Sequence, residues 1–295
     1  MECVNELSRE ERIRLDADYE VSRQITARHG TTYYLSTLLF PHTIRQHVFG
    51  LYGFVRQPDE IVDNPAPNSD PLLALEEYRV EAMRAMKAGR SDIPILNAFA
   101  RTAMTCNIPL EYPAAFLEAM FMDLTTSRYE SIDDLQSYAY GSASVVGLMM
   151  CKVLGVSDQA ALAPACDLGF AMQLTNFLRD IGEDWKMRRR IYLPREDLAR
   201  FAYTEDELAR GVVNDNFREL MRFEIERARL FYAQADKGMK YIPARCRRPV
   251  LLARALYSKI LDKIEQNDYD VFTRRARTTT LEKAMELARL PIITT

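Results

Sequence analysis

Asn176, Asp180 and Asp184 recur at every fourth position within QLTNFLRDIGED, residues 173–184. On an α-helix this spacing sets successive side chains about 40° apart around the axis and about 6 Å along it, so the three stand in one ladder. Leu174, Phe177, Leu178 and Ile181 surround the rungs. Part of this helix should therefore be buried, where a carboxylate is rare unless it is paired or holds a metal. A second ladder lies upstream, with Asp59 and Asp63 four apart in Asp59-Glu60-Ile61-Val62-Asp63. One Asp-x-x-x-Asp alone is most often a solvated helix face. Two ladders of hard oxygen ligands suit Mg2+, which keeps several waters and is completed by substrate phosphate oxygens. Together they suggest a diphosphate held between two helices.

The rest of the chain also reads as helix. Ser8 with Glu11 forms a capping box for a first helix running to Gly30, and a polar break at His29–Thr32 precedes the aromatic-rich 33–40. A helix from about His42 carries the first ladder and stops at Asn64-Pro65-Ala66-Pro67. Pro58 inside it removes a hydrogen bond and predicts a kink that re-aims Asp59. Helices follow over 72–88, 93–105 and 111–124, then a long one from the Ser131/Asp134 capping box to Gly155. Its small residues, Gly141 to Gly147, serve either close helix packing or room for a long apolar ligand. The ladder helix spans about 157–185 with an irregularity at Pro164, and Gly182 lets another backbone or a ligand approach. A basic loop covers 186–194, Thr204 and Glu207 cap a short helix, and helices at 214–240, 249–266 and 281–290 complete the chain. With no sustained strand alternation and no repeat, residues 1–295 read as a single all-α domain around a central cleft.

A net charge of −3 excludes a nucleic-acid partner held by a broad basic field. Five scattered cysteines, Cys3, Cys106, Cys151, Cys166 and Cys246, argue for reduced thiols in a cytoplasmic protein rather than a disulfide framework. The charged N-terminus is no signal peptide, and the longest apolar run is too short to span a bilayer. His29, His42 and His47 lack partners at zinc spacing and read as surface or hydrogen-bonding residues. The ladders remain the strongest chemical signal: Mg2+ between them could act as a Lewis acid on a departing diphosphate. A resulting cation needs aromatic shielding, for which Tyr33, Tyr34, Phe54, Phe121, Phe170 and Phe177 are candidates, each more often plain core.

The run from Gln173 to Trp185, followed by Arg190-Ile191-Tyr192-Leu193-Pro194, resembles the second aspartate-rich signature of phytoene synthases, within the squalene/phytoene synthase family. Asp59–Asp63 resembles the first, with Tyr52 and Arg56 upstream. His29-Gly30-Thr31-Thr32-Tyr33-Tyr34, Phe121-Met122-Asp123-Leu124, residues 138–147, Tyr257, Tyr269-Asp270-Val271-Phe272 and Arg275 are also similar to family motifs. The resemblance implies the all-α isoprenoid synthase fold, with two facing aspartate-rich helices. It implies a prenyltransferase that joins two geranylgeranyl diphosphates head to head through a cyclopropylcarbinyl diphosphate to phytoene, in carotenoid biosynthesis. Asp59, Asp63, Asn176, Asp180 and Asp184 would hold Mg2+, or Mn2+ in its place. Asp59, Asp63, Asp180, Asp184, Arg179 and Tyr257 would carry the chemistry. His29, Thr32, Tyr33, Tyr52, Arg56, Tyr138, Gln173, Asn176 and Arg275 would contact substrate, and Gly147 would line an apolar tunnel. No NADPH is expected.

Gln57-Pro58 departs from the family's usual residues before the first aspartate, and Ser142-Ala143-Ser144 from its Val-Ala-Gly, where chain-length selection could be set. The alternatives are a C15-using relative making dehydrosqualene, presqualene diphosphate or squalene, and a non-catalytic binding relative. A C40 hydrocarbon product implies peripheral membrane contact and a downstream desaturase as partner.

Overall fold

The structure is a computed structural model describing residues 8–290, so Cys3 lies outside the described residues. Its helices are α1 (Arg9–His29), α2 (Thr31–Thr37), α3 (His42–Asp63), α4 (Pro71–Ala88), α5 (Pro94–Thr105), α6 (Glu111–Thr125) and α7 (Ile132–Ala139). A π-helical turn, Tyr140–Ser144, joins α7 to α8 (Val145–Leu154). Then come α9 (Leu162–Arg188), α10 (Arg195–Arg200), α11 (Glu205–Arg210), α12 (Asp215–Asp236), α13 (Ala244–Gln266) and α14 (Thr280–Arg289). No strand occurs among the described residues. The all-α expectation holds, as do the capping boxes at Ser8, Ser131 and Thr204.

Several boundaries differ from the sequence reading, among them the start of α13, five residues early with Pro249 inside it, and four that have a plain local reason. The expected break at 29–32 is a junction only at Gly30, after which α2 starts at once. The single helix from Ser131 to Gly155 is interrupted by the π turn, where Gly141 and small neighbours let the chain widen. Pro164 falls in the first turn of α9, where its missing N–H costs nothing, so it makes no irregularity within the helix. α9 runs through Lys186, Met187 and Arg188, shortening the expected basic loop, and ends at Arg189 in the left-handed conformation (φ 57°).

The ladder helix α9 is the centre of the molecule, packed against α8, α12, α13 and the π turn. Leu174, Phe177, Leu178 and Ile181 are buried on it, as their spacing requires. At about 2 kcal/mol for each such side chain, their burial offsets much of the cost of carrying a carboxylate face inward. Glycines set how closely its neighbours approach. A Cβ at Gly147 would lie 2.5 Å from the Ala165 carbonyl, and one at Gly169 would lie 2.6 Å from that of Ala143. The small residues thus serve both ends: Gly141 and Gly147 allow close packing, and Ser142, Ala143, Val146 and Gly147 border the central cavity. At Gly182 the close neighbour is backbone, Val271 and Phe272 of the segment after α13.

Pro58 does not divide α3, which is helical from His42 to Asp63. Its missing N–H leaves the Phe54 carbonyl, four residues back, without an intrahelical donor. The Tyr78 hydroxyl of α4 donates to that oxygen at 3.0 Å. A tertiary hydrogen bond thereby replaces the one the proline removes.

Candidate active site

α3 and α9 line one cavity of about 730 Å³, and both change character along their length. On α9 the lining passes from Ala165, Leu168 and Met172 through Gln173 and Asn176 to Asp180, Asp184 and Arg188. On α3 it passes from Leu51, Tyr52 and Val55 to Arg56, Asp59 and Asp63. The cavity therefore has an apolar half and an acidic, arginine-rich half. Its apolar half is closed by residues such as Phe116, Met120 and Val146 from α6 and α8, and Val250 from α13.

In the polar half every ladder aspartate meets an arginine. Arg56 pairs with Asp59 and with Glu60, and His29 Nδ1 lies 3.4 Å from the Glu60 carboxylate. Arg179 forks onto Asp180 at 2.9 and 2.5 Å, where Arg275 adds a contact of 3.1 Å while also holding Glu183 at 2.8 Å. Arg188 reaches Asp63 at 2.7 Å and Asp184 at 3.3 Å. Arg190 lies 3.3 Å from Asp63 and 3.7 Å from Asp123, a residue of α6.

Seven carboxylates thus face five guanidinium groups, which leaves two negative charges uncompensated. The titration of the site shows the same deficit. Burial, with Asp180 and Asp63 nearby, pushes Asp184 up to about 7 despite Arg188. Burial likewise pushes Asp59 up to about 7 against the pull of Arg56, although its 38% exposure into the cavity lets water offset part of that burial. Asp123 rises to about 6 for the same cause, opposed by Arg190 and by the Tyr138 hydroxyl, which donates to its carboxylate at 2.8 Å.

A surplus of two negative charges among hard oxygen donors fits a divalent cation such as Mg2+. Among the described residues no three His, Cys, Asp or Glu converge into a cage, so an ion here would take further ligands from water or a bound anion. Asp59, Asp63, Asn176, Asp180 and Asp184 all border the cavity and would be the residues to hold it.

Of the other residues expected to contact substrate or carry the chemistry, His29, Tyr33, Tyr52, Arg56, Tyr138, Gly147, Gln173, Arg179, Tyr257 and Arg275 also line the cavity. Thr32 is not among the lining residues, which here are His29 at the end of α1, Gly30 at the junction, and Tyr33 and Ser36 of α2. Of the aromatic candidates, Tyr33 and Phe177 border the cavity. Tyr34 instead stacks on Phe49 and accepts from Arg23, Phe54 stacks on Phe99 at 3.9 Å in the core, Phe121 lies under Arg79, and Phe170 packs on Phe231. His47 is a hydrogen-bonding core histidine, bound to Tyr19 and Thr102.

Sequence reasoning placed Asp123, Arg190 and Tyr192 in family motifs, and Arg188 in a basic run, without giving any of them a specific partner. Tyr192 stacks on Phe177 at 3.9 Å and donates to Asp123 at 3.3 Å, so the loop after α9 supplies an aromatic wall beside the carboxylates. Motif resemblance drew notice to three of them, but only the folded structure shows what each one pairs with.

The site can bind a metal-neutralised diphosphate at one end and a long apolar chain at the other, with aromatic faces between. The known proteins that share this chain's sequence point the same way. The sequence pattern of the squalene/phytoene synthase family matches residues 26–282. A phytoene synthase of Arthrospira platensis is 41% identical over 280 residues, covering 90% of each chain. A 15-cis-phytoene synthase of Synechococcus elongatus is 39% identical over 295 residues, covering 94% of this chain and 92% of the relative. Among solved structures, a dehydrosqualene synthase superposes with a TM-score of 0.87 at 24% identity, covering 93% of this chain and 95% of that one, which shows the shared fold. A squalene synthase of Alicyclobacillus acidocaldarius superposes with a TM-score of 0.80 at 29% identity, covering 88% and 97%. With a family pattern spanning residues 26–282 and relatives 39–41% identical over at least nine-tenths of its length, this chain belongs to the squalene/phytoene synthase family.

Proposed function

We propose that this protein condenses two geranylgeranyl diphosphates head to head to phytoene. The observation that carries the reading is the single cavity graded from apolar to acidic along both α3 and α9, in a chain whose similar relatives are phytoene synthases. When bound, Mg2+ supplies Lewis-acid stabilisation of the leaving diphosphate. Arg56, Arg179 and Arg275 stand where they can bind diphosphate oxygens, and Tyr33, Tyr52, Phe177 and Tyr257 face the region where a cation forms. The apolar half holds the prenyl chains away from water.

In the first step the C1–O bond of one allylic diphosphate breaks and diphosphate leaves with the electron pair. The double bond of the second molecule attacks C1, and loss of a proton closes the cyclopropane. The intermediate then loses its own diphosphate, rearranges and loses a proton to form the central double bond. No electrons are supplied from outside, so NADPH has no part. Incubation with Mg2+ and either geranylgeranyl or farnesyl diphosphate, with and without NADPH, tests this. The expected result is a C40 hydrocarbon from the C20 substrate alone; a C30 product from farnesyl diphosphate in its place would overturn the reading.

We read residues 1–295 as one domain, because one cluster of buried apolar residues runs from Phe40 to Ala276. No described helix is long and apolar enough to cross a membrane. A cytoplasmic place at a membrane surface is supported by two features. The four described cysteines are free, as in a reducing compartment. On α14, Glu282 and Glu286 turn inward to Lys263 and Lys259 of α13, while Leu281 and Met285 face out. An outward apolar stripe on a short helix suits the surface of a bilayer, from which a desaturase could draw the same hydrocarbon. Co-flotation with anionic vesicles that persists unchanged in Leu281→Glu/Met285→Glu would rule out this face as the contact.

A further inference from the structure

We propose that Arg188 is a built-in counter-cation that occupies the gap between the two aspartate-rich walls and yields it when diphosphate arrives. The inference rests on the metal-dependent reading above and adds to it an order of binding. Among the described residues, Arg188 is the arginine whose ion pairs join α3 to α9, through Asp63 at 2.7 Å and Asp184 at 3.3 Å. Arg56 stays within α3, Arg179 and Arg275 serve α9, and Arg190 joins α3 to α6. A guanidinium in that position and a divalent ion shared by the two walls compete for the same carboxylate oxygens.

The manner of holding suits a group that leaves. Arg179 grips Asp180 with two directed hydrogen bonds. Arg188 Nε, though 2.7 Å from Asp63, does not aim its N–H at the carboxylate and has no hydrogen-bond partner, and its bond to Asp184 is long at 3.3 Å. Charge rather than directed bonding keeps it there, and a buried guanidinium N–H without a partner favours any site that supplies an acceptor. Arg188 also ends α9, and the turn beyond it is fixed separately: Arg189 lies over the Trp185 ring at 4.9 Å. The side chain can therefore swing without moving the helix. Within the same cavity a diphosphate would offer the missing acceptor geometry, since guanidinium forks match phosphate oxygens.

Metal alone must then displace Arg188 with nothing to receive it, whereas metal with diphosphate exchanges one pairing for another. Binding of the two should be strongly synergistic in the native protein. Free Mn2+, followed by its paramagnetic resonance signal with and without inorganic diphosphate, reads this directly and needs no prenyl substrate. The expected result is that Arg188→Gln binds Mn2+ alone at least fivefold more tightly than the native protein, while the gain in Mn2+ affinity on adding diphosphate shrinks by a similar factor. Arg188→Lys, which keeps the charge but loses the fork, should fall between. A residue that merely ties the two helices together would give the opposite sign, because loosening the walls weakens Mn2+ binding. Equal or weaker Mn2+ binding by Arg188→Gln, with the native circular dichroism retained, therefore overturns the proposal. Failure of native protein to take up Mn2+ even with diphosphate would instead remove the metal reading on which it rests. Hydrocarbon synthesis by native protein that binds Mn2+, with unaltered synergy in Arg188→Gln, would leave that reading standing and sink this one.

Discussion

The two acidic walls are built differently. The α9 wall is a stretch of unbroken 27-residue helix, with three rungs carried by the most enclosed element of the molecule; Asp180 and Asp184 are 15% and 14% exposed. The α3 wall is the last two turns of a helix that contains a proline, and Asp59 there is 38% exposed. On α9 the opposite face is fully buried core, whereas beside the α3 ladder Ile61 and Val62 are only partly buried, and a hydroxyl from α4 and pairing with arginines add to their hold. The same chemical group thus sits once on a rigid support and once on an adjustable one. An enzyme that must admit two substrates in turn can use one of each.

The sharpest way to break this comparison is to remove one rung from each wall. Asp180→Asn should lower kcat by about 10³-fold or more, the scale expected when transition-state charge loses its main stabiliser. Asp59→Asn, on the more exposed wall with Asp63 beside it, should cost about tenfold less. Equal losses, measured on proteins of unchanged circular dichroism, would show that both walls hold the ion with the same rigidity.

A smaller effect follows from the charge deficit. Asp184 titrates near 7 in the folded, metal-free protein, well above an ordinary aspartate. Between about pH 4 and 7 the folded state therefore binds more protons than the unfolded chain, and metal-free stability falls as pH rises through that window. The full loss attributable to this group is at most about 4 kcal/mol. Thermal unfolding in EDTA should show the decline, and Mg2+ with diphosphate should abolish it by replacing the proton. A metal-free stability that rises over the same interval would mean that the arginines compensate the walls fully.

The α9 wall was legible because periodicity and burial reinforce each other: carboxylates at one angle, Leu174, Phe177, Leu178 and Ile181 at the others. The Asp59 ladder was legible in spacing but not in aim, since what Pro58 does depends on a residue of the next helix. The parts played by Arg188 and Asp123 were not legible for a similar reason: each matters through partners more than 60 residues away or across a helix pair, which no local spacing marks. Assigning aromatic residues by type alone mostly failed. Tyr34, Phe54, Phe121 and Phe170 serve packing, while Tyr192, which carries no periodic signal, stands at the site. Thr32 was placed by motif resemblance, and in the folded chain its neighbours Tyr33 and Ser36 line the cavity while it does not.

The smallest expected effect separates the adjustable wall from its support. Tyr78→Phe removes the hydroxyl that donates to the Phe54 carbonyl and leaves the ring, which stacks on Phe54 at 6.3 Å, in place. A buried carbonyl without a donor costs about 1–3 kcal/mol, so unfolding in urea should shift by roughly that amount. If α3 owes its continuity past Pro58 to this bond, the variant should also raise the Mg2+ concentration needed for half-maximal activity, because the turn carrying Asp59 and Asp63 is freed to bend. A stability loss with an unchanged Mg2+ requirement would show that the arginines paired with them keep the aspartates aimed. The hydroxyl would then serve the fold and not the site, and the two walls would differ in exposure but not in rigidity.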